Sequence, residues 1–193
     1  MKLLLIRHPK PDVTKGLCYG QSDVPLLAGW QNDVQAIKTW LDHYHGDVAW
    51  QSYHSPLSRA ALLAQAVMSD SQEVAALAEL DFGSWENICW SDISRAEIEQ
   101  WSNDLENATP YGGESLAMLS QRVLDWLTPT LKANQDTILF THAGVIKVLV
   151  AHFCQMPLAQ CYRTSPTYSS ITELEVGEGY AMLHRLGAGD WTE

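Results

Sequence analysis

The 193-residue sequence reads as an α/β chain, a three-layer αβα sandwich around a mostly parallel central sheet. Three observations carry that reading. Leu3 to Ile6 and Ile138 to Phe140 are unbroken apolar runs, the pattern of strands covered on both faces. Between such runs, apolar residues recur at spacings of three and four, which marks helices with one buried face. Strands and helices then alternate over most of the chain, as a parallel sheet with helical crossovers requires.

The first strand, Leu3 to Ile6, stops at Arg7-His8-Pro9. After a Pro- and Gly-rich loop, apolar positions 27, 30, 34, 37, 41 and 44 mark one helix face, with Gly46 as its stop. Val48-Ala49-Trp50 reads as a second short strand. Ser55-Pro56 reads as an N-cap followed by proline at the first helical position of a helix reaching about Met68. Val74 to Leu77 reads as a third short strand.

Residues 85–112 differ in kind. Three tryptophans, many acids and weak periodicity predict a partly helical excursion, a cap or lid lying over the domain and not a second domain. Residues 1–193 are therefore expected to form one domain. Gly113-Glu114-Ser115 introduces a helix with Leu116, Leu119, Val123 and Trp126 on one face. The strand Ile138–Phe140 ends at Thr141-His142, and Gly144 precedes a helix, Val145 to Cys154, that is apolar nearly all round. Alternation over 169–176 and 180–186 predicts a closing hairpin around Gly177-Glu178-Gly179.

Twelve basic residues against 23 acidic ones leave a net charge of −11. That balance argues against nucleic acid or an anionic membrane surface as partner. It leaves the oligomeric state open. The four cysteines, at 18, 89, 154 and 161, form no CxxC and no metal-ligand spacing. With no secretory signal recognisable, reduced thiols in a cytoplasmic protein are expected. His43-x-His45 reads as a surface pair at the polar end of a helix. No GxxxxGK[ST], GxGxxG, GxSxG or HExxH occurs. No metal and no cofactor is therefore expected, and histidine is the strongest nucleophile on offer.

The chemistry gathers at three strand-to-helix junctions: Arg7-His8, Ser55-Pro56-Leu57-Ser58-Arg59, and Thr141-His142. In open α/β sheets the carboxyl ends of the strands line the ligand crevice. Helix N-termini pointing there add free N–H groups and a positive dipole end. Arg59 in a first turn is mismatched with that dipole unless an anion sits beside it. Two arginines and two histidines on one rim suit a tetrahedral oxyanion, most simply phosphate.

At these positions the sequence resembles the histidine phosphatase superfamily, which includes the cofactor-dependent phosphoglycerate mutases. Leu4-Leu5-Ile6-Arg7-His8 is similar to its RHG signature, and Ser55-Pro56-Leu57-Ser58-Arg59-Ala60 to its SPLxRA element. Glu79-Leu80-Asp81-Phe82-Gly83-Ser84-Trp85-Glu86 resembles the stretch holding its acid, and Thr141-His142-Ala143-Gly144 its second histidine motif. Pro9 stands where the signature has Gly, and THAG where many members have a Gly-Gly pair. Both variants, with Gly16-Leu17-Cys18-Tyr19-Gly20-Gln21-Ser22-Asp23, resemble the α-ribazole phosphatase branch.

The resemblance implies a phosphohistidine mechanism. His8 is the nucleophile, Arg7, Arg59 and His142 hold the phosphoryl group, and Glu79 is the general acid. Tyr19, Gly20 and Gln21 join the substrate-binding set. Asp81, Glu86 and Glu114 are rival acids, and Trp85, Trp90, Trp101 and Tyr19 are candidates to stack on a flat base. The Pro9 carbonyl is free to accept from His8 Nδ1–H and fix its tautomer. The expected activity is metal-independent hydrolysis of a small phosphomonoester, α-ribazole 5′-phosphate or cobalamin 5′-phosphate. The alternatives are a broad-specificity or protein phosphohistidine phosphatase on the same scaffold, and a catalytically inactive phosphate-binding module.

Overall fold

The computed structural model describes residues 1–131 and 133–189. Its six strands are β1 (Lys2–Arg7), β2 (Gln51–His54), β3 (Gln72–Glu73), β4 (Thr137–Thr141), β5 (Ile171–Gly177) and β6 (Tyr180–Ala188). They form one sheet in the order β3-β2-β4-β1-β5-β6. Neighbours from β3 to β1 pair in parallel, and β5 alone runs against the rest.

The helices are α1 (Gln31–His45), α2 (Ser58–Val67), α3 (Arg95–Asn103), α4 (Leu116–Leu131) and α5 (Ala143–Phe153). Alternate residues of the central strands serve two separate cores. Leu3, Leu5 and Leu139 face α4 and α5, while Leu4, Ile6, Ile138 and Phe140 face α1 and α2. This explains why β1 and β4 are apolar at every position: both faces are covered. The αβα sandwich is therefore as the pattern of the sequence predicts.

Several local expectations need correction. The second strand is Gln51–His54, not Val48–Trp50. Its residues are mostly polar, so no apolar run marks it; pairing of Gln51 to His54 with Thr137 to Phe140 defines it. Val74–Leu77 is not a strand: β3 is Gln72–Glu73, and Ala75–Leu77 is a 3-10 turn. The buried face of α1 is Val34, Ile37, Leu41 and His45, whereas Leu27 lies outside the helix and Tyr44 is exposed. His45 is thus a buried residue, not half of a surface pair; Lys2 Nζ lies 3.0 Å from its Nδ1.

Ser55 does not cap α2. The helix opens at Ser58 with Leu57 as N-cap and no capping side chain from that residue. Asp23, from the loop after β1, takes that duty: its Oδ1 accepts from Ser58 N at 2.9 Å and from Ser58 Oγ at 2.7 Å.

The excursion over 85–112 has a small core of its own. Trp85, Ile93 and Tyr111 pack there with Cys18 of the 10–23 loop. Cys18 N donates to Ile88 O at 2.9 Å, Asn87 N to Cys18 O at 2.7 Å, and Trp90 N to Gly16 O at 2.9 Å. Two segments that look independent in the sequence are therefore zipped together. All four cysteines are free. No helix among the described residues is long and apolar enough to cross a membrane.

Candidate active site

Strand register builds the site. Arg7 pairs with Thr141 across β1 and β4, and His54 pairs with Phe140 across β2 and β4. The ladders continue one residue past the strands: His8 N donates to Thr141 O and Ser55 N to Phe140 O, both at 3.0 Å. Three chain ends are thereby held level at the carboxyl edge of the sheet. His8, Ser55 and His142 stand side by side where α2 and α5 begin.

His8 is 1% exposed, while Arg59 and His142 are fully buried. The His8 and His142 rings lie 5.1 Å apart. His8 Nδ1 donates to the Pro9 carbonyl at 2.7 Å, so Nε2 is left without a proton. Proline at this position costs the site an N–H but keeps the acceptor that matters. Burial, reinforced by the Arg59 and Arg7 guanidinium groups, pushes the His8 pKa well below its ordinary value. Burial also holds His142 well below its usual range, with His8, Arg59 and Arg7 adding to the effect. Both imidazoles are neutral at pH 7.

His142 Nε2 lies 2.7 Å from Ser55 Oγ, which also accepts from Leu57 N at 3.2 Å. With the hydroxyl proton aimed at Nε2, the ring proton of His142 sits on Nδ1. That atom is buried without a partner among the described residues, as are Arg7 Nε and Arg59 Nε. Arg7 Nη1 donates to Pro166 O at 2.8 Å; Arg59 donates to Ser22 O at 2.8 Å and Gly20 O at 2.6 Å.

Glu79 sits at the opening of α5. Its Oε2 accepts from Gly144 N at 3.1 Å and its Oε1 from Leu80 N at 2.9 Å. A Cβ on residue 144 would run into this carboxylate, which explains glycine there. The three rival acids are otherwise engaged. Asp81 Oδ1 accepts from Gly83 N at 2.8 Å in a local turn. Glu86 accepts from Gln21 N, Ser22 N, Ser22 Oγ and Phe82 N, pinning the loop that carries Gly20 and Gln21. Glu114 forms a two-pronged pair with Arg122, both bonds at 2.8 Å.

Glu79, Arg7, Tyr19 and Gly20 line a cavity of about 790 Å³. Trp90 and Trp101 line it too, stacked on each other with centroids 5.8 Å apart. Trp85 is 2% exposed inside the small core of the excursion and is unavailable for stacking on a ligand. Gln21 turns away from the cavity, and its Nε2 donates to Glu79 O at 2.9 Å. Arg122 Nη2 supports the same carbonyl at 3.3 Å.

Three further residues stand at or behind the site. Tyr168 lies with its ring 3.8 Å from the Arg7 guanidinium carbon and 5.6 Å from the His8 ring. It follows a polar stretch after a 3-10 turn, with no periodicity to mark it. Arg122, eight residues after Glu114 on the helical side, is visible only as a half-buried ion pair. Lys147 falls within an apolar helix, where a lone charge is itself the signal. No group of three or more His, Cys, Asp or Glu residues stands close enough to hold a metal among the described residues.

A neutral imidazole ringed by guanidinium groups is built to accept a phosphoryl group. An αβα sandwich carrying that arrangement at the carboxyl ends of its strands has the make-up of a phosphatase. The chain belongs to the histidine phosphatase superfamily (branch 1), whose sequence model matches residues 3–189. It is 26% identical to the adenosylcobalamin/alpha-ribazole phosphatase of Salmonella typhimurium, over 97% of this chain and 96% of that protein. The alpha-ribazole phosphatase structure from Shigella flexneri superposes with a TM-score of 0.85 at 28% identity, covering 97% and 96% of the two chains. The phosphoserine phosphatase of Entamoeba histolytica, in complex with phosphoserine, shares the fold at a TM-score of 0.85 and 21% identity, covering 97% of this chain and 96% of that one.

Proposed function

We propose that the protein is a metal-independent phosphomonoesterase that works through a phosphohistidine on His8. The observation that carries this is the set of partnerless buried nitrogens around His8: Arg7 Nε, Arg59 Nε and His142 Nδ1. Buried donors are costly to leave unpaired. A bound phosphoryl group supplies acceptor oxygens for them.

In the first half-reaction His8 Nε2 attacks phosphorus in line, and the ester P–O bond breaks as the P–N bond forms. Arg7, Arg59 and His142 neutralise charge on the equatorial oxygens. Glu79 delivers a proton to the departing alkoxide. In the second, Glu79 takes a proton from water as its oxygen attacks phosphorus, the P–N bond breaks, and inorganic phosphate leaves.

The substrate in this reading is α-ribazole 5′-phosphate or cobalamin 5′-phosphate, serving assembly of the cobalamin nucleotide loop in the cytoplasm. Its support is the likeness to the Salmonella typhimurium and Shigella flexneri proteins over nearly their whole lengths. A cavity with stacked indoles also suits a flat heteroaromatic group. In this reading the zipped 10–23 and 85–112 segments close over the bound substrate. The test compares kcat/KM for α-ribazole 5′-phosphate and cobalamin 5′-phosphate with a sugar phosphate and a phosphopeptide. One of the first pair should exceed the others by about 100-fold or more. Equal values throughout point to a broad-specificity enzyme.

A further inference from the structure

Lys147 is a charged residue the hydrolytic steps above do not use. It stands on α5, an otherwise apolar helix whose other residues are largely buried in the sandwich. Its side chain lines the 790 Å³ cavity together with Arg7 and Glu79. It lies three positions along α5 from Gly144, whose N–H holds Glu79, a rise of about 4.5 Å along the helix. It therefore lies within one helical turn of the group that holds Glu79, on the wall of the same cavity.

None of the ion pairs among the described residues involves Lys147. Its Nζ lies 5.0 Å over the Tyr162 ring, a weak interaction for a half-buried cation. Burial lowers its pKa, opposed by Cys161 and Glu79 and assisted by Arg7. A half-buried ammonium without a carboxylate partner costs free energy unless an anion completes it.

The remaining charges on the cavity wall point the same way. Lys10 and Lys15 line it as well, so among the described residues four cations face a single carboxylate, Glu79, in a chain whose net charge is −11. Arg7 serves the phosphoryl site. That leaves Lys147 in the interior and two lysines at the exposed rim with no role in hydrolysing a simple monoester.

We propose that Lys147 is a specificity-determining residue that binds a second anionic group of the substrate, carried on the leaving-group side of the scissile phosphate. This rests on the phosphomonoesterase reading and narrows its substrate class. The shared chemistry is an anionic oxygen, and two sources supply it: the phosphodiester of a nucleotide loop, or the carboxylate of a small phosphorylated acid.

The experiment uses two substrate pairs that differ in that group. Cobalamin 5′-phosphate carries a phosphodiester that α-ribazole 5′-phosphate lacks; 3-phosphoglycerate carries a carboxylate that glycerol 1-phosphate lacks. The ratio of kcat/KM within each pair is measured for the native enzyme, Lys147→Met and Lys147→Arg. We expect the native enzyme to prefer the doubly anionic member of one pair at least tenfold. Lys147→Met should erase that preference through KM, and Lys147→Arg should keep most of it. The pair that responds identifies the source. A preference untouched by Lys147→Met, or none in either pair, overturns the proposal while leaving the phosphatase reading intact. No turnover of any of the four substrates overturns both.

Discussion

The ring of Tyr168 stacks against Arg7, with the guanidinium carbon 3.8 Å from its centroid. The same segment grips β1 through its backbone: Arg7 N donates to Ser170 O at 3.1 Å and Ser169 N to His8 O at 3.2 Å. Ser169 adopts a left-handed φ of 57°, unusual for serine and stabilised by its hydroxyl bond to Asp33 at 2.6 Å. The hydroxyls of Tyr168 and Tyr19 are 3.0 Å apart, and Tyr19 lies beside Arg59. One aromatic pair thus covers both arginines.

Removal of that support should loosen Arg7 without removing its charge. Tyr168→Ala is expected to lower kcat/KM about tenfold, equivalent to ~1.4 kcal/mol of transition-state stabilisation. Tyr168→Phe retains the stacking face and should lose less than threefold or so. Steady-state kinetics on both variants decides it; equal losses would place the effect in the hydroxyl bridge instead.

The role of Glu79 is separable by leaving group. Glu79→Gln keeps an acceptor for Gly144 N but has no transferable proton. With an alkyl phosphate, kcat should fall by about 10²–10⁴. With p-nitrophenyl phosphate, whose leaving group needs no proton, the transfer step should be far less affected. Burst kinetics with the two substrates separates the half-reactions. Similar losses in the transfer step for both would assign Glu79 a positioning role.

Much of the site was legible because it rests on chemistry that repeats at equivalent junctions. Arg7 ends β1, His8 and His142 lie just beyond β1 and β4, and Arg59 stands in the first turn of the helix after β2, so parallel register converts similar positions into proximity. The strand leading to Ser55 has no local mark because Gln51–His54 is polar, and only pairing with β4 makes it a strand. Ser55 looked like a helix cap by its neighbour Pro56, yet its hydroxyl meets His142 while Asp23 reaches Ser58 from another segment. Partners far apart in the chain leave no local pattern. The rival acids could not be ranked by spacing alone for the same reason.

Glu86 should matter to stability more than to chemistry. It accepts backbone bonds from Gln21, Ser22 and Phe82, and a Cβ on Gly20 would run into it. Glu86→Ala leaves several half-buried N–H groups unpaired and is expected to cost about 3 kcal/mol. A lower urea midpoint with an unchanged slope would show it. A midpoint within experimental error of the native protein would remove Glu86 from the scaffold.

The buried imidazoles set an acid limit to stability. His8 and His142 have pKa values below 6.5 when folded, and both return to about 6.5 when unfolded. Below pH 6.5 the unfolded chain binds protons that the folded one does not, so stability falls with pH; above it these groups contribute no slope. Each histidine adds up to about 1.4 kcal/mol per pH unit. Denaturation between pH 7.5 and 5 should therefore show a slope that His8→Gln reduces. An unaltered slope would refute this linkage.

The covalent intermediate tests the account most directly. Enzyme mixed with labelled substrate and quenched in alkali within one turnover should carry phosphate on a single histidine, identified by mass spectrometry as His8. His8→Ala should trap nothing and lose at least about 10³ in kcat. Phosphate found on another residue, or native turnover by His8→Ala, would contradict the central claim.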